Sequence, residues 1–303
     1  MGNDIWSTKV QGILNLDLSR EIRFRDDRKD LFLKLLGLRE GMTIFDIGCG
    51  PGAITRKLSN WLGEESRIIG IDRDTEFIKY AREKAIQMNL HNISYYEGDA
   101  LKLPLEDNSV DACISHTVIE HVPNKEFLLE QKRVCKPKGR VSVMYAIPDK
   151  YIRTEPSLLP KQSKRETELL DKLFKNTDEI NREHNVGKYW PDPVELPRLF
   201  EELGFNNIQV DAIAIPIVID DSRNSNDEKM TIIESEKEQL FESISIVNGL
   251  NENRLSDNEL LELKRLITER TDQRLKFVEE GENIWDYTIL LMQVVSGMVD
   301  KGE

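Results

Sequence analysis

Apolar and polar positions along this chain follow two rhythms, one of period 3.6 and one of short apolar runs ending in turn residues. "DLFLKLLGL" (30–38) repeats its apolar residues at helical spacing, which predicts a helix from Leu16 to Leu38 with Gly37 and Gly41 as stop signals. "MTIFDIG" then reads as a strand, "AITRKLSNWLG" as a helix and "RIIGID" as a second strand ending at Asp72. The alternation continues through a helix at Thr75–Leu90, strands in "ISYYEGDA" and "VDACISH", a helix in "EFLLEQKRVCK" and a fifth strand in "GRVSVMYAI". Strands this apolar must be covered on both faces, so the pattern predicts a doubly wound α/β sheet with ligands at the strands' carboxyl ends.

After Pro148 the alternation loosens. "KQSKRETELLDKLFKNTDEI" predicts an inserted helix, and "GKYWPDPVELPRLFEELGF" a turn and a further helix. "NIQVDAIAIPIVI" follows as a sixth strand, then a polar loop "DDSRNSNDEK". Two long charged helices at Glu228–Asn248 and Asp257–Glu280 precede a seventh strand, "NIWDYTILLMQVVSG". The reading is a single domain over 1–303: an N-terminal helical segment (1–40), a core (41–150), an insertion (151–190) and the rest of the sheet (191–220 and 284–303). Residues 221–283 form a helical insertion bracketed by strands, open to two roles, a cap over the site or a dimer contact.

Composition narrows the function. A net charge of −13 works against broad attraction to nucleic acid or anionic membrane. "REIRFRDDRK" (20–29) is the most basic stretch, and its acidic neighbours read as a solvated helix face. Cys49, Cys113 and Cys135 lack metal-ligand or disulfide spacing, so no metal is expected and a reducing cytoplasm is the expected setting. No apolar run reaches the length of a membrane helix, and "MGNDIWSTKV" lacks the pattern of a secretory signal.

The candidate chemistry sits at three successive strand ends. Asp46, Gly48, Gly50 and Gly52 close the first strand, where glycines let backbone approach a ligand that a Cβ would exclude. Asp72, at the end of the second strand and 20 positions past Gly52, is spaced to receive ribose hydroxyls. Asp99 follows the third strand, where it could accept from an adenine amino group. NAD competes as a ligand, but the turn runs G-x-G-x-G, not G-x-G-x-x-G.

Together "FDIGCGPG", "GID", "EGDA" and "RVCKPKGRVSV" resemble the class I S-adenosylmethionine-dependent methyltransferases, in particular the small-molecule branch with the ubiquinone and menaquinone C-methyltransferases. The resemblance is strong over Met42–Ile147 and weaker over Glu195–Ile219 and the last strand. It implies a Rossmann-like, seven-stranded, mostly parallel sheet with helical insertions, and S-adenosylmethionine as cofactor. Carried across, Gly48, Gly50 and Gly52 would pass under the methionine portion, and Asp46 would face its amino group. Asp72 would hold the ribose, Arg73 would flank the adenine, and Asp99 with Ala100 would bind its edge. Ser115 and His116 would lie near the transferable methyl.

For the transfer itself, "SHTVIEHVPN" supplies His116, Glu120 and His121. His116 and His121 are the candidate bases, with a structural hydrogen-bonding role as the alternative. The Glu-His pair resembles plant alkaloid N-methyltransferases, which carry a second Glu where this chain has Thr117. Tyr145, near the end of the fifth strand, is a third catalytic candidate. Tyr189 and Trp190 are pocket candidates, and the segment with Arg23, Phe24 and Arg25 could fold over the cofactor. The expected function is methyl transfer to a small molecule. A protein or RNA methyltransferase and a catalytically silent cofactor-binding protein are the alternatives.

Overall fold

Thr43–Ile47 forms β1, buried at its last four positions, and it lies inside a seven-stranded sheet of order β3-β2-β1-β4-β5-β7-β6, next to the central β4. The computed structural model describes residues 6–154, 156–175, 182–250 and 254–301. The strands are β1, β2 (Arg67–Asp72), β3 (Ile93–Glu97), β4 (Val110–His116), β5 (Cys135–Arg153), β6 (Phe205–Val218) and β7 (Tyr287–Val299). The first five run parallel, and β7 enters antiparallel between β5 and β6. The sheet is thus mostly parallel and doubly wound. β5 runs on to Arg153, past the expected end at Ile147, because its far end pairs with Leu290–Thr288 of β7 after a register shift.

Period-two alternation sends successive side chains of each strand to opposite faces. Phe45, Ile47, Cys113, Val143 and Tyr145 pack on one face with Phe127 and Leu128 of α5 (Asn124–Val134) and Leu196 and Phe200 of α7 (Glu195–Glu202). Ile44, Ile114 and Met144 pack on the other with Ile54 and Leu58 of α3 (Ala53–Leu62), Phe32, Leu36 and Phe24. A further helix, α4 (Thr75–Gln87), is capped by the Asp74 carboxylate, which accepts from the Glu76 and Phe77 amides.

The helical segment expected over Leu16–Leu38 is built as two helices. α1 (Ile13–Arg23) ends where Phe24 leaves helical geometry (φ −99°, ψ 68°), and α2 (Lys29–Leu36) follows a short 3₁₀ turn. Burial of Phe24 is the cause: its ring sits 4.7 Å from Phe32 and 5.1 Å edge-on to His116, positions an unbroken helix could not reach. The helical period holds on both sides of the break, where the tertiary contacts of one aromatic outweigh an intrahelical turn.

The two insertions are one unit. Leu169 and Leu173 of α6 (Lys164–Phe174) share an apolar cluster with Ile244 of α8 (Asn226–Leu250) and Leu263 and Ile267 of α9 (Asp257–Glu279). The rest of the helix expected in "KQSKRETELLDKLFKNTDEI", residues 176–180, lies outside the described residues. α8 starts inside the expected polar loop because Ser225 and Glu228 make a reciprocal cap, each backbone N–H donating to the other's side chain. Glu242 of α8 accepts from the Leu14 and Asn15 amides at 3.0 and 2.6 Å, so the insertion caps the N-terminus of α1. No helix among the described residues is long and apolar enough to cross a membrane.

Candidate active site

The carboxyl ends of β1, β2 and β4 open into a cavity of about 320 Å³. Its floor is the β1–α3 turn, where Gly48 (φ +69°) and Gly50 (φ +54°) hold left-handed backbone. The three glycines divide their work. A Cβ on Gly50 would meet nothing closer than Leu16 Cδ1 at 3.9 Å, so its backbone is open to a ligand. A Cβ on Gly48 would strike Val118 Cγ2 at 2.4 Å. A Cβ on Gly52 would strike Tyr95 Oη at 2.5 Å and Ala81 at 2.9 Å, so that glycine serves helix-to-strand packing and does not line the cavity.

Three carboxylates face the β1–β3 end. Asp46 is buried and accepts from Thr55 Oγ1 at 2.6 Å; burial raises its pKa to about 7. The Asp72 carboxylate accepts from the Gly50 and Asp74 amides, each at 2.9 Å, and burial raises it to about 6. Asp99 accepts from the Leu101 amide and lines the cavity beside Ala100 and Arg73. Each oxygen of Asp72 keeps a free lone pair after its amide bond, the geometry a vicinal diol needs.

α1 and the wide turn Trp6–Val10 close the cavity from above. Asp17 accepts from Arg56 Nη2 at 2.5 Å and from Tyr80 Oη at 2.8 Å, tying α1 to α3 and α4. Ser7 donates through its amide and hydroxyl to Asp74. Trp6 packs edge-on to His121 at 4.7 Å, with the Arg73 guanidinium 5.8 Å from its ring.

At the β4 end the expected residues separate. His116 is buried and lines the cavity; burial, then the fields of Arg20 and Arg23, push its pKa well below the ordinary histidine value. Its Nε2 is buried without a hydrogen-bond partner among the described residues. His121 also lines the cavity, but its Nδ1 accepts from the Gly187 amide at 2.9 Å and burial lowers it to about 4. Ser115 points the other way, as a neighbour of His116 on a strand must, and does not line the cavity. Tyr145 shares that opposite face: fully buried, it donates to Gln293 Oε1 at 2.7 Å, and burial raises its pKa to about 12. Trp190 lines the cavity, whereas Tyr189 contributes its amide to the Glu120 carbonyl.

Two further groups line this end: Glu120, the acid of the Glu-His pair singled out with His121, and Arg20, which the sequence did not assign to the site. Glu120 is buried, its Oε2 has no hydrogen-bond partner among the described residues, it lines the cavity and it is raised by burial to about 7. Arg20 lines it as well, held by Thr117 Oγ1 at 3.1 Å, and burial lowers its pKa to about 9. Among the described residues, no group of three or more His, Cys, Asp or Glu is placed to hold a metal ion.

The methyltransferase-domain family matches residues 38–204, the stretch that builds this floor and its carboxylates. The chain belongs to the methyltransferase domain family. It is an enzyme of that family, whose methyl donor is S-adenosylmethionine. It is 32% identical to the demethylmenaquinone methyltransferase of Staphylococcus aureus (strain JH9) over 192 residues, 59% of this chain and 73% of that protein. The phosphoethanolamine N-methyltransferase 2 of Haemonchus contortus shares the fold, at 17% identity and a TM-score of 0.55 over 99% of this chain and 61% of that one. The YcgJ protein of Bacillus subtilis does so at 18% identity and 0.50, over 92% and 100%.

Proposed function

We propose that this methyltransferase acts on a small-molecule acceptor that enters the cavity at the β4–β5 end. The observation that carries the reading is the recess itself: a partly open cavity of about 320 Å³ beneath α1 and Trp6, of a size that suits small ligands. A folded protein or an RNA helix would need an open face. The identity shared with the demethylmenaquinone methyltransferase supports the same class.

The donor supplies an electrophilic methyl group, already activated as a sulfonium. The residues then bind and orient. Asp72 receives the ribose diol, Gly48 and Gly50 present backbone to the methionine portion, and Asp46 offers negative charge to its ammonium. Asp99 and Ala100 border the adenine, with Arg73 beside them. The roof excludes water and holds donor and acceptor together; such orientation is worth roughly 7–11 kcal/mol of barrier. Where the acceptor must lose a proton, Glu120 is the base the geometry favours. Its Oε2 has no hydrogen-bond partner among the described residues and its pKa of about 7 matches neutral pH, whereas His121 has one ring nitrogen engaged and a pKa near 4. His116, whose Nε2 has no hydrogen-bond partner among the described residues, stands second. The helical unit of α6, α8 and α9 acts as a cap through its hold on α1.

The test incubates the protein and methyl-labelled S-adenosylmethionine with cell extract divided into small-molecule, RNA and protein fractions. Label in the small-molecule fraction alone is expected. Label confined to RNA or protein would overturn the acceptor class.

A further inference from the structure

α1 crosses the roof of the cavity from one side of the sheet to the other. Leu16 lies over Gly50, and Asp17 bonds Arg56 and Tyr80 beside β1 and β2. One turn on, Arg20 reaches Thr117 at the end of β4, and Phe24 at the helix end meets His116. Positions 16, 20 and 23 share one helical face, and all three line the cavity. Asp46, Asp72 and Asp99, with Arg73, therefore stand at the β1–β3 end, and Arg20 and Arg23, with the Glu120 carboxylate, at the β4 end.

These guanidiniums lack the partners buried cations require. Arg20 spends its bonds on the neutral hydroxyls of Ser19 and Thr117, at 2.8 and 3.1 Å. Arg23 Nε is buried without any hydrogen-bond partner among the described residues. Glu120, whose field reaches Arg20, leaves its own Oε2 without a hydrogen-bond partner among the described residues and so is not forked onto either arginine. The carboxylates of α1 turn elsewhere, Asp17 to Arg56 and Glu21 to Lys57. Two half-buried, cavity-lining arginines without a paired anion are placed to receive a bound oxyanion through charge-assisted, bidentate bonds.

We propose that Arg20 and Arg23 form an oxyanion subsite for the methyl acceptor, so that the acceptor carries a carboxylate or phosphate group. The inference rests on the small-molecule reading above and names its substrate class. The donor's own carboxylate is the other source of such a group. The placement favours the acceptor, because the arginines stand past the glycine turn, over β4 and β5, while the residues suited to the donor lie over β1 to β3.

The test titrates benzoate and neutral benzamide, by calorimetry, into protein with and without saturating S-adenosylhomocysteine. In the saturated native protein benzoate should bind at least about tenfold tighter than benzamide. Arg23→Gln and Arg20→Gln should each erase that preference and leave S-adenosylhomocysteine affinity within about threefold. Arg23→Lys keeps the charge and should retain part of the preference, which separates charge recognition from support of the fold. No preference in the saturated native protein would overturn the proposal. So would a parallel loss of S-adenosylhomocysteine affinity in the glutamine variants, which would assign the arginines to the donor. Failure of the native chain to bind S-adenosylhomocysteine would instead remove the reading on which the subsite rests.

Discussion

The Asp72 carboxylate accepts a hydrogen bond from the Gly50 amide at 2.9 Å, joining the end of the second strand to the turn after the first. A bond across 22 positions fixes the glycine turn against the acid that should receive the ribose. It also makes Gly50 and Gly52 separable by experiment, since the two glycines face different surroundings.

Gly50→Ala adds a Cβ in open space at φ +54°, so only left-handed strain of about 1 kcal/mol is expected. Its loss of S-adenosylhomocysteine affinity should nonetheless be at least about tenfold, because the methyl group occupies the ligand's side of the turn. Gly52→Ala drives a methyl into Tyr95 and Ala81 and should cost about 2–3 kcal/mol of stability. Thermal melts and calorimetry on both variants check this. Equal stability losses would contradict the division of roles.

Donor affinity should depend on pH. Burial raises Asp72 to about 6 in the free protein, and the ribose hydroxyls require the ionised carboxylate as acceptor. Binding therefore has its full strength above pH 6 and weakens as pH falls through it, by about tenfold between pH 7 and pH 5 for this one proton. Asp46, raised to about 7, adds in the same direction. S-adenosylhomocysteine titrations from pH 5 to 8 read this directly, and a flat profile would refute it.

Asp17→Ala should destabilise the roof. The change leaves the Arg56 guanidinium, whose side chain is 3% exposed, without its main counter-charge, a loss of about 3 kcal/mol. Asp27→Ala, at a pair 25–51% exposed, should change stability by less than about 1 kcal/mol. Urea melts of the two variants make the comparison, and similar midpoints would show that the buried pair is not what holds α1 down.

Glu120→Gln should lower kcat by about 10²–10⁴-fold for an acceptor that must be deprotonated, and should remove the rise in rate as pH passes through 7. His121→Asn should spare that pH limb, because a base titrating near 4 is ionisation-invariant there. If the limb persists in the glutamine variant, Glu120 is not the base, and His116, held well below the ordinary histidine range, cannot be its source either.

The β1–β3 end of the cavity was legible because its signals are local. A strand end, a glycine turn and an acid at each of three consecutive strand ends need only short-range pattern to be placed together. The β4 end was not. Assigning both Ser115 and His116 to the cavity broke the period-two rule that the strand itself supplied. Tyr145 required more, since its side follows from pairing Ser115 with Val143 and His116 with Met144 across β4 and β5. Arg20 was hidden by the break at Phe24. Only once α1 ends there does the 16–20–23 face swing over the site, and that break depends on contacts with Phe32 and His116. The union of α6 with α8 and α9 was equally invisible, being an association of amphipathic helices far apart in the chain.

One measurement bears most directly on the central claim, that this cavity holds the methyl donor through Asp72. Calorimetric titration of S-adenosylhomocysteine into the native chain at pH 7.5 should give one site per chain with a Kd on the order of micromolar, about 8 kcal/mol of binding free energy. Asp72→Ala, with its fold verified by melting, should weaken that affinity at least a hundredfold, about 2.7 kcal/mol. Undiminished affinity in the variant would contradict the account.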